Sequence, residues 1–396
     1  MQATSLGATV REFRDRSGPR YIRIDPLLLV AVLGLTACSL YTIATATQDD
    51  IPGSPNYFLY RQGLYVVIGI CLMLLVSRID YSRLRDLKAG LYTFLIASIV
   101  VVFALGSVSR GSRRAIELPF FEIQTSELGK VLLILTLSAV LVDRVRRIGD
   151  RETTSRALLL ALIPAMLVIA QPDLGSGLVY ISIVLVTLFV AGTRWTHFAV
   201  LGALAATAVA IVLIAAPAVG IELLKPYQMD RLTSFVDPAD DLAEEGYQQQ
   251  QSQVAIGAGG KSGRGEDATQ TKLDFLPEHH TDFVFAVVGE EFGFMGAALV
   301  LSLFALLIWR SLRILTMSKD LYGTLIAAGV LAMLMHQIFV NVGMTIGIMP
   351  ITGVTLPLMS YGGSSVLVTF IALGLLQSVH AQARETAFAK GPGLAI

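Results

Sequence analysis

The sequence carries little charge for its length. Only 15% of its 396 residues are charged, whereas a soluble domain usually carries about 25%. A soluble protein of this composition would have too little polar surface. Acidic and basic residues number 30 each, so the formal net charge is zero and no overall field would attract nucleic acid.

Cysteine is almost absent, and metal-binding signatures are missing. The two cysteines, Cys38 and Cys71, both fall in apolar stretches, so a disulfide framework is unsupported and they do not indicate a compartment. The five histidines form no HExxH motif and no Cys/His cluster, so the sequence predicts no metal ligands.

A nucleotide-binding loop is also missing. The run AIGAGGKSGRG at 255–265 resembles a phosphate loop, but Ala255 stands where the first glycine of GxxxxGK[ST] is required. No strand–loop–helix pattern surrounds it. We expect a flexible turn here, although Lys261 and Arg264 could still contact a phosphate.

Long apolar stretches are what the sequence does contain. Hydrophobic residues make up 54% of the chain, and the mean hydropathy is +0.67. A membrane-spanning helix needs about 20 apolar residues. Segments that could span a bilayer are 26–46, 58–77, 89–108, 127–142, 155–170, 174–191, 197–219, 283–309, 321–341 and 363–380.

Two of these segments, 127–142 and 155–170, are short, and the second contains Pro164. Short or proline-interrupted membrane segments often border a binding site. The polar, Arg-rich first twenty residues are followed by no cleavage site, so the first apolar stretch is expected to be a membrane anchor and not a signal peptide.

The distribution of lysine and arginine predicts the orientation. With a cytoplasmic N-terminus, 20 of the 30 basic residues lie in cytoplasmic segments, as the positive-inside rule requires. The sequence therefore predicts an all-α integral membrane protein with about ten transmembrane helices and both termini cytoplasmic. Its divisions are a basic N-terminal segment 1–25, a transmembrane domain 26–380 and a cytoplasmic tail 381–396.

Two segments on the predicted outer side stand apart. Residues 220–282 form a polar, glycine-rich loop of about sixty residues between the seventh and eighth spans, a length that is uncommon unless the loop is functional or disordered. Residues 346–362 are apolar but are interrupted by prolines and glycines. A re-entrant or surface-packed segment is expected there, because irregular backbone at membrane depth must line a cavity or be buried in protein.

The strongest local pattern is FLPEHHTDFVFAVVGEEFGFMG at 275–296. It predicts Thr281 as the cap of the eighth helix and Asp282 in its first turn. Asp282 could merely complement the helix dipole, worth about 0.3–1 kcal/mol. Alternatively, it could act as a general base at the mouth of a membrane cavity. A position in the first turn favours the charged carboxylate and so weakens the base, and partial burial would have to compensate for this.

Several other charged residues lie within or near the predicted spans. Glu290 and Glu291 fall inside the eighth span, where carboxylates usually face a cavity or a partner, and we expect structural pairing. Glu127 and Lys130 have the i, i+3 spacing of an ion pair, but they could also line a diphosphate site. Asp173 in QPDLGSG is expected to cap a helix.

The segment KPYQMDRL lies inside the long outer loop and carries Tyr227 and Arg231. Both residues could belong to an amphipathic segment that lies on the outer face of the membrane.

Taken together and in order, these segments resemble the SEDS family (shape, elongation, division and sporulation). The pieces that carry the resemblance extend from about residue 110 to 365, and they are RGSRR, QTSELGK, QPDLGSG, KPYQMDRL, GYQQQQSQVAIGAGG, TQTKLDFLPEHHTDFVFAVVGEEFG and GIMPITGVTLPLMSYGGSS. Within the family, KPYQMDRL and the TQ–FLPE spacing look more like the RodA-type elongation members than the FtsW-type division members.

The resemblance implies a peptidoglycan glycosyltransferase that polymerises lipid II, with its active site facing outside in the bacterial cytoplasmic membrane. It implies that Asp282 is the catalytic base. Partners would be a class B penicillin-binding protein and other membrane proteins of the elongation complex. Mg²⁺ or Mn²⁺ could assist as cofactor. Expected substrate-binding residues are Lys130, Glu127, Asp173, Arg231, Lys261, His280 and Ser360.

The sequence departs from the family pattern at two positions, with Ala115 where a tryptophan is common and Thr125 where a proline is usual. Ala115 puts in doubt an aromatic platform in that outer loop. Rival interpretations are a flippase of a lipid-linked precursor, an FtsW-type division paralogue and a scaffold protein. A small-solute transporter is less well supported, because no internal repeat is visible.

Overall fold

Long helices dominate the computed structural model, which describes residues 24–48, 50–105, 107–109, 112–117, 122–218, 245–272, 275–276 and 278–389. The first three helices are α1 (Pro26–Ala46), α2 (Tyr57–Ser77) and α3 (Lys88–Leu105). Three short strands follow: β1 (Ser107–Ser109), β2 (Ser112–Glu117) and β3 (Glu122–Gln124). The remaining helices are α4 (Thr125–Asp143), α5 (Arg151–Ala170), α6 (Leu174–Ala191), α7 (Trp195–Ala210, continued to Ala218), α8 (Glu245–Gly259), α9 (Thr269–Lys272), α10 (Val284–Met317), α11 (Leu321–Thr345) and α12 (Gly363–Ala389).

The predicted spans correspond to helices of the structure. Within the described residues, nine helices are long and apolar enough to cross a membrane, and α3 is a shorter apolar helix. These ten follow the ten predicted segments. The largest differences are at the C-terminal ends, where α10 reaches Met317 and α12 reaches Ala389. The helix therefore continues beyond the predicted start of the tail at 381.

Helix α7 lies at the periphery of the bundle. No side chain of Trp195–Ala210 is buried, although the helix is strongly apolar. A helix that is hydrophobic all round, and is not covered by protein, is stable only where lipid covers it. The exposed apolar surface of α7 thus supports a membrane environment for the bundle.

Three aspartates define where long helices begin. The side chain of Asp25 accepts a hydrogen bond from the backbone N–H of Leu28, and Asp320 accepts one from Gly323 N at 2.8 Å. Asp173 does the same for Ser176 N at 3.0 Å. Each bond satisfies a donor that a helix leaves unpaired in its first turn.

Helices α4, α11 and α12 form the centre of the bundle. Helix α4 packs on α3 and α11, α11 packs on α6 and α10, and α12 packs closely on α2. The later part of the irregular segment 346–362 is buried among them, since Leu356, Leu358 and Met359 are at most 1% exposed, whereas Ile346 and Ile348 near its start are exposed. The segment forms no spanning helix, as the sequence predicts for a re-entrant or surface-packed segment.

The three strands form a small antiparallel sheet in the order β1-β2-β3. Ala115 in β2 lies opposite Ser107 on one side and Gln124 on the other. This sheet is not apparent from the sequence, because strands of three to six residues are too short to show a clear alternation of apolar and polar residues.

Helix α10 is broken at Gly293, where the backbone has φ 63° and ψ −159°. The turn that follows α8 inserts at this break. The N–H of Arg264 donates to the Glu290 carbonyl at 2.9 Å, and the N–H of Phe294 donates to the Gly260 carbonyl at 2.9 Å. The inserted turn thus satisfies backbone groups that the break would leave unpaired.

This arrangement replaces the flexible turn that the sequence suggests for 255–265. The first part of that run is the end of α8, and the rest is bonded to α10. A β-carbon built at Gly259 would overlap the carbonyl oxygen of Gly289, and one built at Gly263 would overlap that of Glu291. The glycines are required because two backbones approach closely there.

Replacing Gly259 by alanine is expected to destabilise the protein by about 1–3 kcal/mol, because the added methyl group overpacks the contact between α8 and α10. Thermal unfolding of the purified protein would measure this. Gly257→Ala is the matched control, since nothing lies within 4 Å of a β-carbon at that position of the same helix. Its expected effect is neutral or stabilising. Equal effects of the two changes would contradict the close packing.

Candidate active site

Asp282 lies in a tight turn at 278–283. The backbone N–H groups of Thr281, Asp282 and Phe283 all donate to the carbonyl of Glu278, at 3.1, 3.2 and 3.3 Å respectively. The Thr281 hydroxyl donates to the same carbonyl and to the Glu278 carboxylate at 2.8 Å. Glu278 itself has a φ of 60°, a left-handed conformation that is uncommon for a non-glycine residue. These bonds hold the turn in one conformation.

The turn corrects two sequence predictions. Helix α10 begins at Val284, and its N-cap residue, Phe283, makes no side-chain cap bond. Thr281 is therefore not the helix cap, because its hydroxyl is bonded to Glu278. Asp282 precedes the helix and does not lie in its first turn. The Thr281 hydroxyl and the backbone N–H groups bond to Glu278 instead, and a capping pattern in the sequence does not show this.

The carboxylate of Asp282 faces the segment 346–362. Asn341 on α11 donates from Nδ2 to the carbonyl of Asp282 and to that of Val354, both at 2.8 Å. A β-carbon built at Gly353 would lie 3.6 Å from Asp282 Oδ2. Asp282 is half-buried, so its side chain is partly removed from water.

The motif at 275–296 and the segment 346–362 meet at this turn. The N–H of Tyr361 donates to the carbonyl of His280 at 2.8 Å, and the His280 ring packs against Phe58 with a centroid distance of 4.8 Å. Ser360 is buried, and its hydroxyl accepts from Leu356 N at 2.8 Å. The structure thus places His280 beside Asp282, while the Ser360 hydroxyl bonds within its own segment. A substrate-binding role for either stays a prediction.

Burial raises the pKa of Tyr361 to about 12, with a further contribution from Tyr65 nearby. The phenol is therefore neutral at physiological pH and is not a base there. Tyr361 is therefore a weaker candidate for proton abstraction than a carboxylate such as Asp282.

Asp173 joins α6 to the start of α4. One carboxylate oxygen caps α6, as the sequence predicts. The other accepts from Ser126 Oγ at 2.9 Å and from Gln124 Nε2 at 3.2 Å. Asp173 is 5% exposed, so its charge is balanced by hydrogen-bond donors and not by water.

Glu127 and Lys130 form the predicted ion pair in the first two turns of α4. Lys130 Nζ lies 2.5 Å from Glu127 Oε1, and the side chains are 1% and 7% exposed for lysine and glutamate respectively. The pair is thus almost completely desolvated. Thr125 is the first residue of this helix, a position where proline is favoured, so the proline that is usual in the family would also fit there.

The Asp173 cluster and the Asp282 turn lie on two sides of residues 352–354. A β-carbon built at Gly175, in the first turn of α6, would lie 2.6 Å from the carbonyl oxygen of Thr352. The neighbouring Gly353 faces Asp282. The structure therefore brings Asp173 and Asp282 to the same buried segment.

The other two expected substrate-binding residues are Lys261 and Arg231. Lys261 is exposed on the turn inserted at the break in α10. Arg231, with Tyr227, lies in 219–244, outside the described residues.

Glu290 and Glu291 have structural partners, as expected. Glu290 accepts from Gln270 N at 2.8 Å, from Thr271 N at 3.0 Å and from the Thr271 hydroxyl at 2.7 Å. Glu291 accepts from the Thr45 hydroxyl at 2.5 Å. Glu290 thereby fixes α9 against α10.

One group of side chains among the described residues could hold a metal ion: Asp50, His279 and His280, whose ligand atoms lie within 4.8 Å of one another. This cluster is not apparent from the sequence, because Asp50 is far from the two histidines along the chain. Two imidazoles and one carboxylate suit Zn²⁺ or a similar transition metal, whereas Mg²⁺ prefers oxygen ligands alone. This cluster therefore does not fit the expected Mg²⁺.

The fold and the site define a polytopic, predominantly helical membrane protein with a half-buried carboxylate at one end of the bundle. The chain belongs to the SEDS family, because the model of the cell cycle protein family FTSW_RODA_SPOVE matches residues 23–385.

Three curated relatives illustrate the family. The chain is 37% identical to the probable peptidoglycan glycosyltransferase FtsW of Thioalkalivibrio sulfidiphilus, over 92% of this chain and 91% of the relative. It is 35% identical to the peptidoglycan glycosyltransferase MrdB of Escherichia coli K12, over 91% and 94%. It is 34% identical to the stage V sporulation protein E of Bacillus subtilis, over 93% and 99%.

Solved structures share the fold. One is a chain of a peptidoglycan synthase complex whose structure concerns the structural coordination of polymerization and crosslinking. It superposes with a TM-score of 0.78 and 33% identity, and the match covers 91% of this chain and 98% of that one. The rod shape determining protein RodA of Thermus thermophilus has a TM-score of 0.67 and 30% identity, with the same coverage.

Proposed function

We infer that this protein is a peptidoglycan glycosyltransferase, the activity stated in the names of its FtsW and MrdB relatives. We propose further that it polymerises lipid II into glycan strands during cell elongation, with Asp282 as the general base. The observation that carries the proposal is the half-buried carboxylate of Asp282, held in a rigid turn and facing Gly353.

The proposed reaction is an inverting displacement. The 4-hydroxyl oxygen of an incoming lipid II sugar forms a bond to the anomeric carbon of the growing strand. The bond from that carbon to the polyprenyl diphosphate breaks, and the diphosphate leaves with the electron pair. Asp282 takes the proton of the hydroxyl. One base is sufficient for such a transfer, whereas a hydrolase needs two carboxylates.

The departing diphosphate needs positive charge nearby. Lys130 is the proposed source within the described residues, and Arg231 and Lys261 are further candidates. For Lys130 to contribute, the substrate must compete with Glu127, to which the lysine is bonded. Mg²⁺ or Mn²⁺, implied by the family resemblance, stays part of the proposal and would supply further positive charge for the diphosphate, but no residue of this chain is assigned to hold it.

The proposed location is the bacterial cytoplasmic membrane, with Asp282 on the outer side, where lipid II is consumed. A class B penicillin-binding protein and other membrane proteins of the elongation complex are the proposed partners. The structural relative from a peptidoglycan synthase complex supports such a pairing. The overall identities to an FtsW relative and to MrdB are nearly equal and do not separate the two roles. Elongation is proposed over division because the motifs KPYQMDRL and TQ–FLPE look more like those of the RodA-type members.

A vesicle assay tests the activity. The purified full-length protein and its penicillin-binding partner would be reconstituted, and fluorescent lipid II would be added to one face only. We expect polymer on a gel, and we expect no transfer of labelled lipid across the bilayer. Empty vesicles are the control.

The flippase alternative predicts the opposite result, namely movement of labelled lipid without polymer. Complementation separates the two cellular roles. The chain should restore rod shape to cells that are depleted of their elongation polymerase, and it should fail in cells that are depleted of the division polymerase.

A further inference from the structure

We propose that Asp50, His279 and His280 form a binding site for a transition metal ion of the Zn²⁺ class. The site joins the connection between α1 and α2 to the turn that carries Asp282. It is independent of the proposed polymerase activity, since it rests on the geometry of three side chains alone.

Two of the three distances between the ligand atoms are close to those of a metal site, and all three lie within 4.8 Å. His279 Nε2 lies 3.3 Å from Asp50 Oδ2, and His280 Nδ1 lies 3.9 Å from the same oxygen. Two atoms bound to a tetrahedral Zn²⁺ at about 2.0–2.1 Å are roughly 3.3 Å apart. The first distance therefore already matches, and the second requires a shift of about half an ångström.

A hydrogen bond sets the tautomer of His279. Its Nδ1 lies 3.2 Å from the carbonyl oxygen of Leu276. A carbonyl only accepts, so Nδ1 must carry the proton. In the neutral imidazole, the lone pair is then on Nε2, the atom that faces Asp50. Ligating histidines are oriented by the same kind of bond from their second nitrogen.

The surroundings also restrict the two rings. His279 is 3% exposed. The His280 ring lies 4.8 Å from the Phe58 ring and 5.7 Å from the Tyr361 ring, measured between centroids. Asp50 retains 23% side-chain exposure, which leaves a path for the ion. Three protein ligands with one side open are typical of zinc sites that keep a fourth position for water.

An ordinary ion pair between a protonated histidine and Asp50 is the competing explanation. It would account for one short contact. It does not require two imidazoles beside one carboxylate, and it would not bind an ion. Metal binding therefore separates the two explanations.

The experiment uses the full-length protein in detergent, stripped with a chelator and then titrated with ZnCl₂ against a chromophoric competitor. We expect one equivalent of tightly bound Zn²⁺, confirmed by elemental analysis after desalting. Asp50→Asn, His279→Gln and His280→Gln should each weaken binding by at least about tenfold. Addition of Zn²⁺ should raise the unfolding temperature of the wild type and not of these variants.

His197→Gln is the matched control, because this histidine bonds to Thr154 at 2.8 Å, away from the cluster. It should bind Zn²⁺ as the wild type does. Unfolding temperatures measured with chelator present show whether each variant is folded. Absence of bound Zn²⁺ in the folded wild type, or equal binding by all variants, would overturn the site. Equal competition by Mg²⁺ would overturn the assigned metal class.

Discussion

Replacing Asp282 by asparagine should lower the rate of glycan polymerisation by about 10²–10⁴-fold, the usual contribution of a general base. Asparagine keeps the size of the side chain but cannot accept the proton. The backbone bonds to Glu278 and from Asn341 do not involve the carboxylate, so the turn should persist. The measurement is the initial rate of polymer formation with saturating lipid II.

Two further variants make this result interpretable. Asp267→Asn removes an exposed carboxylate from the turn that follows α8 and should leave the rate unchanged. Asp282→Glu keeps a base but moves it by one methylene, so an intermediate loss is expected, since small displacements are costly in catalysis. A folded Asp282→Asn protein that polymerises at the rate of the wild type would show that Asp282 is not the base.

Replacing Lys130 by methionine should reduce the free energy of unfolding by about 3–5 kcal/mol, the effect of leaving one member of a buried ion pair without its partner. Glu127 would remain almost fully buried with no cation beside it. Thermal or chemical unfolding in detergent would measure the loss. The double variant Lys130→Met, Glu127→Gln should recover most of it, because no uncompensated charge remains.

The double variant also separates structure from function. If Lys130 stabilises the departing diphosphate, the double variant will be folded but strongly impaired in polymerisation. Activity equal to the wild type would restrict Lys130 to a structural role. Arg156→Met is the control for stability, since its pair with Glu152 is about half exposed on both sides and should contribute no more than about 1 kcal/mol.

Much of the site could be predicted wherever the interaction is local in sequence. The pairing of Glu127 with Lys130 follows from their i, i+3 spacing, and the cap at Asp173 follows from its place before a helix. The same reasoning was wrong for Thr281. A cap pattern cannot show that the hydroxyl has a competing partner in Glu278, three residues earlier.

The break in α10 shows a different limit. The sequence contains Gly293 within an apolar run, which is compatible with a continuous helix. The break is stable because the turn after α8 supplies backbone partners to Glu290 and Phe294. That turn was expected to be flexible, since nothing in a glycine-rich run indicates which surface it will contact.

The sequence by itself determined the membrane bundle. The lengths of its apolar segments match the thickness of a bilayer, and the placement of its basic residues predicts the orientation. It also determined the family, through motifs spread along the chain. Only the tertiary structure decided which residues share a site. Packing brought Asp282 to Gly353, Asp173 to the same segment, and Asp50 to His279 and His280. Such contacts depend on how whole helices and loops pack, and no local periodicity or spacing encodes them.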